Sequence, residues 1–185
     1  MSEPQADYDA AWKELLEHQL PPAMAFLFPR AHAEIDWREE WVSEEQELRP
    51  LTGDSETGTR HADKLFKART LAGDDNLLHV EVQGQPRTAF GRRVYVYGYR
   101  VDDRFGLPAD HLVILTDDDP DWLPTEYAVV LRYSELRLKF EPVKLRYAGR
   151  EEWLLGHENL VGCSCRRTCG RARRWTTRRG GWSAS

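Results

Sequence analysis

Apolar residues recur at helical spacing near the start of the chain, where Tyr8, Trp12, Leu15, Leu16 and Leu20 share one face and Asp7 or Asp9 is placed to cap it. Pro21 and Pro22 interrupt this helix and open a second short one over Ala23 to Phe28, since proline is tolerated in a first turn. Ala33 to Trp37 reads as a short extended segment. The acidic run Glu39, Glu40, Glu44, Glu45 and Glu47 reads as a solvated helical surface ending near Leu51. Thr52 to Thr59, rich in Gly, Ser, Thr and Asp, is a loop.

The pattern then changes to strand period. His61 to Arg69 and Leu77 to Gln83 flank Leu71, Ala72, Gly73, Asp74, Asp75 and Asn76, a turn whose glycine admits positive φ. Along the second strand His79, Glu81 and Gln83 share one face and Leu78, Val80 and Val82 the other. A hairpin centred near Gly73 and Asp74 sets Asp63 opposite Gln83 or one step from it, with Glu81 as a diagonal neighbour. Thr88 to Phe105 contains the β-formers Val94, Tyr95, Val96, Tyr97 and Tyr99, yet it runs without a turn to the helix-stop pair Gly106 and Pro108. At helical spacing Val94, Tyr97, Val101 and Phe105 make one face, with Arg93, Arg100 and Arg104 beside it. Helix is the reading adopted. His111 to Thr116 is an apolar run of buried-strand type. Tyr127 to Tyr133 and Leu136 to Phe140 form an antiparallel pair, and Val143 to Tyr147 is a last extended piece; these strands are expected to extend the sheet, with Leu136, Leu138 and Phe140 facing the core.

At 185 residues the chain accommodates one domain, residues 1–149, with an appendage, 150–185. It has no apolar stretch of membrane-spanning length and no basic, apolar leader, so no membrane partner and a cytoplasmic location are expected. Charge is uneven. From His157 onward there are seven arginines and one acid, a charge of +6, whereas 19 basic and 30 acidic residues leave the preceding 156 residues at −11. An acidic body argues against tight nonspecific DNA binding, which draws on many Lys and Arg contacts to phosphate, although a local basic groove is compatible with it. The tail holds all three cysteines, Cys163, Cys165 and Cys169, at a spacing that fits no common zinc knuckle or ribbon. Its abrupt change of composition suits a frameshifted or truncated end; an arginine-rich nucleic-acid arm is the alternative.

The central hairpin carries the chemistry. Strands about 4.8 Å apart bring Asp63 and Glu81 close enough to converge on one hard cation, or to share a proton. The structural alternative is that Glu81 pairs with Lys64, Lys67 or a nearby arginine. Three consecutive aspartates, Asp117 to Asp119, lack the alternating ligand positions of a calcium loop and read as a polar turn. His79, deep in the hairpin, reads as a satisfied core histidine.

The pieces RHADKLFKA, LLHVEVQGQ, RRVYVYGYRVDDRFGLP and HLVILTDDDPDW, in that order, resemble the PD-(D/E)XK nuclease superfamily, and more narrowly the Rpn-type recombination-promoting nuclease and putative transposase families of bacteria. The resemblance covers roughly the first 145 residues. It implies an α/β (α+β) fold with a restriction-endonuclease-like αβββαβ core, a mixed central sheet flanked by helices and extra C-terminal strands. It supports the helical reading of the 88–105 segment. It further implies a Mg2+-dependent DNA endonuclease, with Mn2+ as an alternative cation, linked to recombination or transposition. Asp63, Glu81 and the Val82 carbonyl would hold the metal, and Asp63, Glu81 and Gln83 would be the catalytic set. Arg93, Arg100 and Arg104 would contact DNA phosphate, and homo-oligomerisation is left open. An acid of the first helix, Glu14 or Glu17, would assist. Gln83 stands where the better-known pattern has lysine; its amide orients water but supplies no charge, and Lys67, Arg93 and Arg100 are the candidates to supply the cation, an exposed structural role being the alternative for each. The competing readings are a non-catalytic binding or assembly protein that keeps the fold, and a decayed copy.

Overall fold

The structure, a computed structural model, describes residues 12, 14–44 and 62–145. Helical residues 14–18 (α1) lead into α2 (Leu20–Leu27) and α3 (Pro29–Glu34). α3 begins on Pro29, and Pro21 and Pro22 fall in the first turn of α2; the N–H that proline lacks is one the first turn leaves unbonded anyway. Then come β1 (Val42–Ser43), β2 (Ala62–Arg69), β3 (Asp75–Gln83), α4 (Phe90–Phe105), β4 (Ala109–Leu115), β5 (Glu126–Val130), β6 (Glu135–Lys139) and β7 (Glu141–Lys144).

Five strands form one mixed sheet in the order β1-β2-β3-β4-β7. The first three are mutually antiparallel, whereas β4 runs parallel to β3 and β7 parallel to β4. Parallel neighbours require a crossover, and α4 supplies the one between β3 and β4. It ends as its sequence predicts: Gly106 takes a left-handed φ of 64° and its N–H donates to the Asp102 carbonyl at 2.8 Å. Because side chains alternate along each strand, the sheet presents two apolar faces. Phe66, Leu78, Val80, Val82 and Ile114 meet Leu16, Leu20, Met24 and Phe26 of the N-terminal helices. On the other face Leu65 and Leu77 meet Tyr97 and Val101 of α4, and Val113 and Leu115 meet its Phe90 and Val94. At about 25 cal/mol per Å², burial on both faces is the main force holding the three layers together. Among the described residues no helix is long and apolar enough to cross a membrane.

Four expectations are corrected. Residues 33–37 are not extended: α3 runs to Glu34, and Ile35 makes only an isolated bridge to Thr70. The acidic surface is not helical where it is described. Val42 and Ser43 instead pair with Lys67 and Phe66, because the edge of β2 presents unpaired backbone groups. Residues 45–61, including the 52–59 loop, and the 157–185 tail lie outside the described residues. β5 and β6 do not extend the main sheet; they form their own two-stranded sheet laid on α4, where Tyr127 stacks on Tyr95 at 5.5 Å. Their alternation puts Leu136 and Leu138 inward and Arg137 and Lys139 outward as expected, but period-two alternation selects a face and not a neighbour, and β7 takes the place beside β4.

The fourth correction concerns the hairpin register. Asp63 lies directly opposite Glu81, not Gln83. The loop is five residues, Thr70 to Asp74, closed by Thr70 N–H to Asp74 O at 2.8 Å and Gly73 N–H to Thr70 O at 2.9 Å, with Gly73 at φ 93°. Asp75 and Asn76 are thereby drawn into β3, and the pairing shifts toward Glu81.

Candidate metal centre

The direct Asp63–Glu81 pairing puts two carboxylates side by side on the α4 face of the sheet. His79, two residues before Glu81 on the same face, completes a group: one ligand atom from each of Asp63, His79 and Glu81 lies within 4.8 Å of the others. His79 and Glu81 are each 1% exposed. Burying acids so deeply demands positive charge or strong hydrogen bonds. Arg93 of α4 supplies part of that charge. Its Nη2 donates to Glu81 Oε1 in a short ion pair and to Gln83 Oε1 at 2.6 Å, while its guanidinium lies 5.5 Å from the Phe90 ring centroid. Gln83, 3% exposed, is held in turn through its Nε2, which donates to the Gln85 carbonyl at 2.6 Å. The structural alternative for Glu81 is thus realised, with Arg93 rather than Lys64 or Lys67 as the partner.

His79 is not the satisfied core histidine expected. Its Nδ1 lies 2.9 Å from Nδ1 of His111, the residue beside it on parallel β4, and its ring stacks on Tyr97 at 3.8 Å and 23°. The Nε2 atom is buried and makes no hydrogen bond among the described residues, as is also true of the Tyr97 hydroxyl. Burial, followed by the charges at His111 and Arg93, holds the His79 pKa well below the ordinary imidazole value. Burial likewise takes His111 down to about 4, against an upward pull from Asp110. Both shifts favour the neutral form of the ring. The Tyr97 phenol is pushed well above its usual range by burial and then by the charge of Asp63. Close approach of α4 to β4 at this point depends on Gly98, where an added Cβ would lie 2.5 Å from His111 Nε2.

The remaining candidates are distributed elsewhere. Val82 turns its side chain to the N-terminal helices and is paired on both sides, with Ala62 and Ile114. Arg100 is half-buried and Arg104 exposed, two and three helical turns beyond Arg93. Lys67 is engaged by Asp75 at 2.8 Å, near the turn. Glu17 accepts from the buried Lys64 at 3.2 Å on the opposite face of the sheet from the acid pair, and Glu14 is exposed. Asp117 does not open a calcium loop. Lys144 fills that turn, with its Nζ 2.7 Å from Asp117 Oδ1 and 2.8 Å from the Trp122 carbonyl it donates to.

Two carboxylates and an imidazole whose buried Nε2 makes no hydrogen bond among the described residues form a donor set that fits a divalent cation. Sequence reading found the acids because each is charged on a strand; it missed His79 because His111 reaches it only through the parallel pairing of β3 with β4. The residues themselves carried one signal, since His79 shares the Glu81 face. Comparison with protein-family models, curated proteins and solved structures finds no match.

Proposed function

We propose that this chain is a metal-dependent phosphodiester hydrolase, a cytoplasmic DNA endonuclease built on the restriction-endonuclease-like arrangement that the PD-(D/E)XK resemblance implies. The observation that carries the reading is the Asp63–His79–Glu81 group, closed by Arg93 on the same face. A divalent cation, when bound, polarises the phosphoryl oxygen and makes water a nucleophile near neutral pH. Asp63, Glu81 and His79 Nε2 are the atoms that would hold it. Arg93 provides the fixed positive charge that Gln83 lacks, and its planar guanidinium suits a phosphate oxygen, with Gln83 keeping it pointed at Glu81. Burial of Glu81, His79 and Gln83 lowers the local dielectric, so charges beside them act more strongly than they would in water. The link with recombination or transposition follows from the resemblance to Rpn-type proteins.

A second reading, a non-catalytic binding protein of the same fold, is favoured by the Arg93–Glu81 ion pair itself, which already balances one of the two acids. Cleavage of supercoiled plasmid by purified protein with Mg2+ or Mn2+ separates the two. Nicking in the wild type that disappears in a folded Asp63→Ala variant is the expected result. Soluble, folded wild-type protein that binds DNA without cleaving it under any divalent cation would establish the second reading.

A further inference from the structure

His79 and His111 are both buried, on adjacent parallel strands, with their Nδ1 atoms 2.9 Å apart. A hydrogen bond between two neutral imidazole nitrogens contains a single proton, and its position decides what the far side of each ring can do. With the proton on His79 Nδ1 and that nitrogen taken up by His111, the lone pair left for a ligand is on Nε2. One ring nitrogen of His79 and one carboxylate oxygen from each of Asp63 and Glu81 lie within 4.8 Å of one another, and although Arg93 balances Glu81, the buried Nε2 makes no hydrogen bond among the described residues. The ring cannot readily turn away. Tyr97 is stacked on it at 3.8 Å, and His111 is confined against Gly98.

From this geometry, and taking the pocket as the metal centre of the proposed hydrolase, we infer that His79 Nε2 is itself a ligand and that His111 is the positioning residue fixing its tautomer. The site therefore selects a first-row transition metal over Mg2+. The physical reason lies in the donor set. Mg2+ prefers oxygen throughout and retains its waters, whereas a neutral imidazole beside two carboxylates suits the series from Mn2+ to Zn2+. Metal-bound histidines in general donate their second N–H to a partner that fixes the ring, and here that partner is His111 instead of a carboxylate or carbonyl.

The test is calorimetric titration of the full chain with Co2+ and with Mg2+. Co2+ is the probe because its visible spectrum separates nitrogen and oxygen ligation at this site from thiolate ligation by Cys163, Cys165 and Cys169. Co2+ is expected to bind at least about tenfold more tightly than Mg2+. His79→Leu should abolish that preference by removing the nitrogen ligand, and His111→Leu should weaken Co2+ by about 10- to 100-fold. Should either variant fail to fold, 15N–1H imidazole correlation spectra of the wild type decide the matter. The expected result is a proton on His79 Nδ1 and a shift of His79 Nε2 on adding diamagnetic Zn2+. A proton on Nε2 in the metal-free protein, an unmoved Nε2 resonance, or equal Co2+ and Mg2+ affinities overturns the inference. Asp63-dependent plasmid cleavage by wild type, together with a His79→Leu variant that keeps the preference for Co2+ over Mg2+, would remove this inference and leave the nuclease reading; Co2+ bound through His79 with no cleavage under any divalent cation would do the reverse.

Discussion

If Arg93 and a bound cation neutralise the same buried acid, removing the arginine should destabilise the apo protein and increase its response to metal. Glu81 is held at 2% side-chain exposure by an ion pair whose other member is 28% exposed. Truncating one partner of a buried pair costs about 3–5 kcal/mol, and the partial exposure of Arg93 sets the expected cost of Arg93→Met at the low end, about 3 kcal/mol. In a domain of this size each kcal/mol moves Tm by about 2–4 °C, so the variant should melt about 6–12 °C below wild type in EDTA. A cation at 100 times its Kd returns about 2.7 kcal/mol by mass action. The variant, with Glu81 no longer held by a guanidinium, should show a larger upward shift with Mn2+ or Co2+ than wild type does. Differential scanning calorimetry in EDTA and in metal measures both quantities. Melting of Arg93→Met within about 2 °C of wild type in EDTA, or a metal-induced shift no larger than that of wild type, would refute the shared-acid argument.

Lys144→Met removes the cation from the buried turn and leaves the buried Asp117 carboxylate without its ion-pair partner. A loss of about 3–5 kcal/mol in urea unfolding is expected, partly recovered by Asp117→Asn in the same chain. Gly98→Ala drives a methyl group to 2.5 Å from His111 Nε2 and should cost about 1–3 kcal/mol, a deficit that His111→Ser in the double variant should reduce. Stability should also fall on acidification below about 6.5. His79 and His111 have folded pKa values below the ordinary imidazole value, so the unfolded chain takes up protons first; the loss runs from there down to about 4 for His111, at about 1.4 kcal/mol per pH unit for each ring. Chemical unfolding at pH 7.5, 6 and 5 measures the slope, and His111→Leu should flatten it by about half.

How much of this was legible in the residues depends on the range of the interaction that decides each feature. The placing of Pro21 and Pro22 in the first turn of α2, the stop of α4 at Gly106, the apolar run of β4 and the existence of a turn around Gly73 are settled by local φ preferences and by the period of apolar positions. So is the fact that His79, Glu81 and Gln83 share a face. The candidate site was partly legible for the same reason: Asp63 and Glu81 stand out as acids on strands, and Arg93 as a base on the next helix. What these residues do to one another was not. The partner of Asp63 depends on hydrogen bonds inside a five-residue loop, and a change of two positions there exchanges Gln83 for Glu81. The β5–β6 hairpin has the alternation of a sheet extension, yet packing against α4 separates it from the main sheet. His79 becomes more than a core residue only when parallel β4 sets His111 beside it and α4 lays Tyr97 on its ring. The sequence by itself determined the elements, their apolar faces and the charged residues available to a site. Only the tertiary structure decided which of those charges are buried together, because desolvation and pairing depend on neighbours far apart in the chain.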